Sequence, residues 1–200
     1  AFVHGRLVSI PINLNTLEQL FNLRLSPREM REYLQSVVEE IAEPCNSEEV
    51  VLSRVGRELY EAFFQNYTRK QWGIDPCRLE PEVCARIPVR YSRDDRYFTD
   101  SYQGIPEHGY TRLFSRMLEH ENIGLLLQAD YFQIKEVFRP RLILYTGEID
   151  SYFNQALGPL PYRNLHFDFV SYAQESYQDW PVINYPNDYQ FTRITEYKKL

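Results

Sequence analysis

The chain has 200 residues, enough for one substantial core or a core with a helical annex. Its 44% hydrophobic and 25% charged residues describe an ordinary globular sequence, and the net charge of −6 argues against a general nucleic-acid binder. Three cysteines (Cys45, Cys77, Cys84), an odd number without CxxC spacing, favour reduced thiols and a cytoplasmic setting over a disulfide frame. Four scattered histidines (His4, His108, His120, His166) do not make a metal site. No apolar run reaches the roughly 18 residues of a membrane span, and no signal peptide is expected at the start. Sixteen tyrosines and twelve phenylalanines are unusual. Most are expected to cover a sheet, and a few to bind.

In chain order, residues 1–12 read as two short strands around His4-Gly5, so the chain begins like an excised piece. Thr16–Leu23 is a short helix candidate. Ser26-Pro27-Arg28-Glu29 is a capping box with proline at the first helical position. Met30, Leu34, Val37, Val38 and Ile41 then recur on one helical face, and Pro44 stops the pattern. Asn46 with Glu49 opens a second helix, with Leu52, Val55, Leu59, Ala62 and Phe63 as its stripe. The two helices, about 27–42 and 47–65, are expected to pack antiparallel.

The stretch 66–73, Asn-Tyr-Thr-Arg-Lys-Gln-Trp-Gly, comes as the apolar pattern runs out, and reads as a binding loop. Phe63 is expected in the core. Tyr67 and Trp72 lie beyond the stripe and are candidate plates for a flat, anionic ligand. Residues 74–96 carry no sustained period apart from a short helix near Glu82–Arg86, and include Arg78, Arg86, Arg90, Arg93 and Arg96. A local cationic run in an acidic chain is an anion-site candidate, and residues 76–92 are expected to be mobile. Arg78, Arg93 and Arg96 read as solvated.

Gly109-Tyr110-Thr111 opens another helix, with Leu113, Met117 and Leu118 on its buried side. Segments 123–127 and 141–145 are apolar runs of strand length. Ile149–Gln155 is a short helix. Segments 165–169, 182–185 and 191–196 again look like strands. The fold class is α+β: a helical lobe, 16–88, packed beside a mainly antiparallel sheet built from 1–15 and 97–200. There is no GxGxxG and no phosphate-binding loop. No nucleophile motif or general base stands out. Arg86, Arg163 and Arg193, each flanked by apolar or aromatic neighbours, are the arginines in distinctive contexts.

The blocks NYTRKQWG, RIPVR, YFTDSYQGIP with GYT, YTGEID, PYRNL, VINYP and FTRITE resemble the UDP-galactopyranose mutases, in order and at close to their spacing. The resemblance runs from about Ile10 to the last residue. It implies a piece of an enzyme that interconverts UDP-galactopyranose and UDP-galactofuranose, in which N5 of reduced FAD attacks the anomeric carbon, UDP leaves, and the sugar recloses from a covalent flavin adduct. It implies that Phe63, Tyr67, Thr68, Trp72 and Asn184 lie at the uridine side and that Tyr97 touches phosphate. Arg86 and Arg193 would serve the diphosphate, and Arg163 would lie near the flavin and sugar. Without the glycine fingerprint, this stretch is not expected to hold FAD alone, and its cofactor-binding residues are unknown. A nucleotide sugar is the implied partner, with no nucleic acid and no membrane, and a homodimer is left open. Two departures from the family pattern are Glu148, where a proline succeeds YTG, and Arg78-Leu79-Glu80-Pro81 in place of ELPA. The other reading is a non-catalytic, nucleotide-sugar-binding or structural relative.

Overall fold

A computed structural model describes residues 1–199, which divide into two compact units, one of residues 1–102 with 170–199 and one of residues 103–169. In the first unit, β1 (Phe2–Val3) pairs antiparallel with β2 (Arg6–Leu7), Phe2 opposite Leu7. His4 and Gly5 both adopt positive φ, 51° and 75°, the turn that matches the twist of a two-residue hairpin.

Helix α1 (Leu14–Phe21) starts two residues earlier than its sequence pattern suggested. Asn13 is the cap: its side chain accepts from the Thr16 amide, and Thr16 Oγ1 accepts from the Asn13 amide. Helix α2 (Pro27–Val37) is capped by Ser26 and Glu29 as its capping box predicts. It ends at Val37, five residues short of the expected 42. The cause lies on helix α3 (Ser47–Leu59), capped by Asn46. There Gly56 leaves helical geometry (φ 78°, ψ 174°), and a β-carbon on it would overlap the Val37 carbonyl. The Glu39 amide donates to the Leu52 carbonyl at 3.1 Å, and the Arg57 guanidinium makes two bonds to Glu39 Oε1. The chain leaving α2 therefore inserts against α3 rather than continuing as helix.

After Leu59 the helix widens into a π-turn, Tyr60–Phe64, and continues as α4 (Gln65–Trp72), ended by Gly73 in the left-handed region (φ 68°). The stretch read as a binding loop is thus helix. The extra residue of a π-turn rotates the subsequent helix by about 100°, so the apolar stripe stops although the helix does not. Helix α5 (Glu82–Ala85) comes after a 3-10 turn at Pro76–Arg78 and packs against α3. The core joins the hairpin, α1, α2, α3, the π-turn and Cys84 of α5, with Val3, Leu17, Met30, Leu34, Leu59 and Tyr60 sealed from solvent.

The unit is completed by β3 (Val182–Asn184) and β4 (Arg193–Thr195), paired Val182 to Thr195, Ile183 to Ile194 and Asn184 to Arg193. Both are shorter than the expected segments 182–185 and 191–196. With helices beside two small antiparallel pairs, the class is α+β, as read from the sequence.

The second unit holds α6 (Gly109–Leu118), α7 (Tyr131–Ile134) and α8 (Ile149–Tyr152), the last shorter than expected. Segments 123–127, 141–145 and 165–169 are irregular rather than strands, and Leu113, Met117 and Leu118 of α6 are exposed rather than buried. Their composition suits a strand or a buried face, but a strand exists only when paired. Among the described residues these segments have no partner strand.

Candidate functional site

The first unit brings five of the candidate residues together. Tyr67 stands near the start of α4, and Arg193 opens β4. Arg193 Nη2 donates to the Tyr67 hydroxyl at 2.9 Å. Asn184 is the cross-strand partner of Arg193, so the amide and the guanidinium belong to one rung of the ladder. Asn184 Oδ1 is buried, with no hydrogen-bond partner among the described residues. A buried acceptor without a donor is costly, and a ligand N–H or hydroxyl would relieve it.

Burial pushes the Tyr67 hydroxyl above its ordinary pKa, against the opposing pull of the Arg193 charge and hydrogen bond and of the Arg86 charge, while Tyr97 adds to the rise. Arg86 and Tyr97 are therefore close enough to be felt at the phenol. Arg86 comes directly after α5 and is exposed, with Nε donating to the Val83 carbonyl at 3.3 Å. Tyr97 is exposed and packs edge-on against Phe98.

Ion pairing sorts the arginines. Arg93 donates twice to Glu18, at 2.6 and 2.7 Å, on a carboxylate whose side chain is only 7% exposed. Arg96 is held by Asp94, and Arg90 lies 4.0 Å from that carboxylate while donating to the Arg96 and Tyr97 carbonyls. Arg93 and Arg96 are thus solvent-exposed, as read from the sequence, but also braced by ion pairs, and Arg90 steadies the backbone that carries Tyr97. No carboxylate among the described residues forms an ion pair with Arg86 or Arg193, which suits an anion site.

The remaining candidates sit differently. Phe63 is buried in the core. Thr68 is buried with Oγ1 3.8 Å from Cys84 Sγ, so it faces inward. Trp72 is half-buried on the last turn of α4. Five residues separate it from Tyr67, which sets the two about 140° apart around the helix, so they do not form one continuous wall. Arg163 belongs to the second unit, where it is exposed in irregular chain.

The sequence reading missed Asn66, Lys70 and Asn187. Asn66 Nδ2 donates to Asn187 Oδ1 at 2.9 Å, and Asn187 Nδ2 donates to the Ala62 carbonyl at 3.1 Å. Lys70 Nζ donates into the turn between β3 and β4. Burial lowers its pKa, and the Asp188 carboxylate opposes that shift. The available signal was the spacing of four between an amide and an ammonium on one helical face.

Comparison with known proteins places the chain in a family. The UDP-galactopyranose mutase family profile matches residues 62–200. A probable UDP-galactopyranose mutase of Klebsiella pneumoniae is 41% identical over 99% of this chain and 52% of its own length. A dTDP-fucopyranose mutase of Escherichia coli is 36% identical over 97% of this chain and 53% of its own. A UDP-galactopyranose mutase of Mycoplasma pneumoniae is 34% identical over 67% of this chain and 36% of its own. The chain belongs to the UDP-galactopyranose mutase family. It spans about half the length of the Klebsiella and Escherichia relatives.

Proposed function

We propose that the full-length protein interconverts UDP-galactopyranose and UDP-galactofuranose, and that residues 62–102 and 182–195 form its uridine and diphosphate side. The observation that carries this reading is the meeting of Tyr67 with Arg193, beside Asn184 and within reach of the Arg86 charge. Tyr67 would offer its ring to the base. Asn184 Oδ1 would accept from the uridine. Arg193 and Arg86 would neutralise the diphosphate as it takes up charge on leaving the sugar.

Exposed Arg86, on the segment 76–92, would close over the diphosphate once substrate is bound. Tyr97 would donate its hydroxyl to a phosphate oxygen. Arg163 would face the sugar and flavin side.

The family activity depends on reduced FAD, which supplies the nucleophile for the anomeric carbon. The described residues include no glycine turn leading from a strand into a helix, the device that seats a dinucleotide pyrophosphate. FAD would therefore be held mostly elsewhere in the full-length protein, and the residues above, Arg163 apart, would serve the nucleotide.

The test is a UDP titration and steady-state assay of the full-length protein, with its visible absorption spectrum. A flavin spectrum, UDP binding and mutase turnover support the reading. UDP binding without flavin or turnover would favour a non-catalytic nucleotide-sugar binder.

A further inference from the structure

The turn between β3 and β4 is built around a single cation. Lys70 Nζ lies 2.5 Å from the Tyr185 carbonyl, 2.8 Å from that of Tyr189, and 3.2 Å from those of Asn187 and Phe191. The side chains explain why those carbonyls point inward. Tyr185, Tyr189 and Phe191 pack on one another, with centroids 5.0–5.2 Å apart, and Phe2 joins them at 5.7 Å from Tyr185. With the rings packed against one another, Tyr185 edge-on to the stacked Tyr189 and Phe191, the backbone oxygens are left to the ammonium. The Tyr185 amide closes the base of the turn on the Thr192 carbonyl at 2.9 Å.

Arg193 is the next residue. Lys70 stands three residues after Tyr67 on α4, a spacing that puts both on one helical face. That face therefore delivers the phenol to Arg193 and the ammonium to the turn that carries Arg193. Asn66, on the same face, grips the turn through Asn187.

We propose that Lys70 is a positioning residue: by gathering the carbonyls of Tyr185, Asn187, Tyr189 and Phe191, it sets where Arg193 presents its guanidinium beside Tyr67. The inference rests on the reading of Arg193 as a diphosphate ligand. Convergent carbonyls suit a compact ammonium with three donors, and a planar guanidinium would match them poorly.

The test is a double-mutant cycle in the full-length protein, with UDP as the probe: wild type, Lys70→Met, Arg193→Ala and the double variant. Lys70→Met is expected to weaken UDP binding about tenfold in the wild-type background. In the Arg193→Ala background it should add roughly twofold or less, because the residue it positions is gone. Lys70→Arg should not restore affinity. An equal loss in both backgrounds, or no loss in wild type, overturns the inference, since a general packing role does not depend on Arg193. If Arg193→Ala itself leaves UDP binding unchanged, the diphosphate reading and this inference fall together. Should Lys70→Met not fold, Asn187→Ala, which loosens the same turn and leaves the ammonium in place, enters the same cycle with the same expected and overturning results.

Discussion

Arg193 and Tyr67, 126 positions apart in the chain, meet through one hydrogen bond of 2.9 Å from guanidinium to phenol. A neutral acceptor orients the arginine without cancelling its charge, and most of its five N–H donors remain for a ligand. Function should divide accordingly in the full-length protein. Tyr67→Ala removes stacking area, a loss on the order of 1–3 kcal/mol by analogy with bases on aromatic plates. Because uridine does not change charge in the reaction, that loss should appear as weaker UDP binding and raised KM, with kcat little affected. Arg193→Ala and Arg86→Ala should lower kcat as well, since charge on the departing diphosphate grows in the transition state. Steady-state rates and UDP titrations decide. An Arg86→Ala enzyme with unchanged kcat and UDP affinity would remove Arg86 from the site.

Gly56 is fixed by the backbone and its neighbour together. Its φ of 78° disfavours any side chain, and a β-carbon would overlap the Val37 carbonyl. The backbone strain alone is of order 1–3 kcal/mol. Gly56→Ala should lower the denaturation midpoint clearly, whereas Gly5→Ala, also at positive φ but with open space around it, should cost less. Equal midpoints for the two variants would contradict this.

Glu18 gives the first unit an acid-sensitive brace. Hydrogen bonds from Arg93 and the Leu25 amide, with the Arg93 charge, outweigh burial and hold its carboxyl at about 2, below the ordinary 4.5. The unfolded chain therefore takes up the proton more readily. The brace contributes fully above about pH 4.5 and is lost as pH falls towards 2. Thermal melts across that window should show a smaller acid-induced drop in Tm for Glu18→Gln than for wild type. Parallel curves would mean that the pair contributes nothing on balance.

Ser26 and Glu29 exchange hydrogen bonds at the start of α2, at 3.2 and 2.7 Å. Ser26→Ala should cost about 1 kcal/mol in chemical denaturation, and no change would show that the exposed box contributes little.

How much of the fold was legible in the sequence depends on how local each determinant is. The caps of α2 and α3 and the hairpin turn at His4-Gly5 are decided within four residues and are legible, although at α3 Glu49 accepts from the Cys45 amide rather than closing a box on Asn46. The end of α2 did not, because Val37 stops against Gly56, nineteen positions away. Tyr67, Arg86 and Arg193 stand out from their own sequence contexts, whereas Tyr97 and Asn184 enter only through the motifs that resemble the family. Periodicity alone had made Tyr67 part of a loop. Arg93 is solvated as read, but its ion pair is not legible, because its carboxylate, Glu18, lies 75 positions earlier. Lys70 escaped notice because its partners are backbone carbonyls, which no side-chain pattern announces.

The π-turn at Tyr60–Phe64 makes the site depend on a count as well as on chemistry. Removing one residue there, such as the exposed Glu61, would allow regular helix to run straight from α3 into α4. Every side chain of α4 would keep its identity and its helix, yet would swing by about 100°. Tyr67 would turn away from Arg193, and Lys70 from the carbonyls it gathers. A deletion that tidies the helix would thus disperse the site without altering one of its named residues.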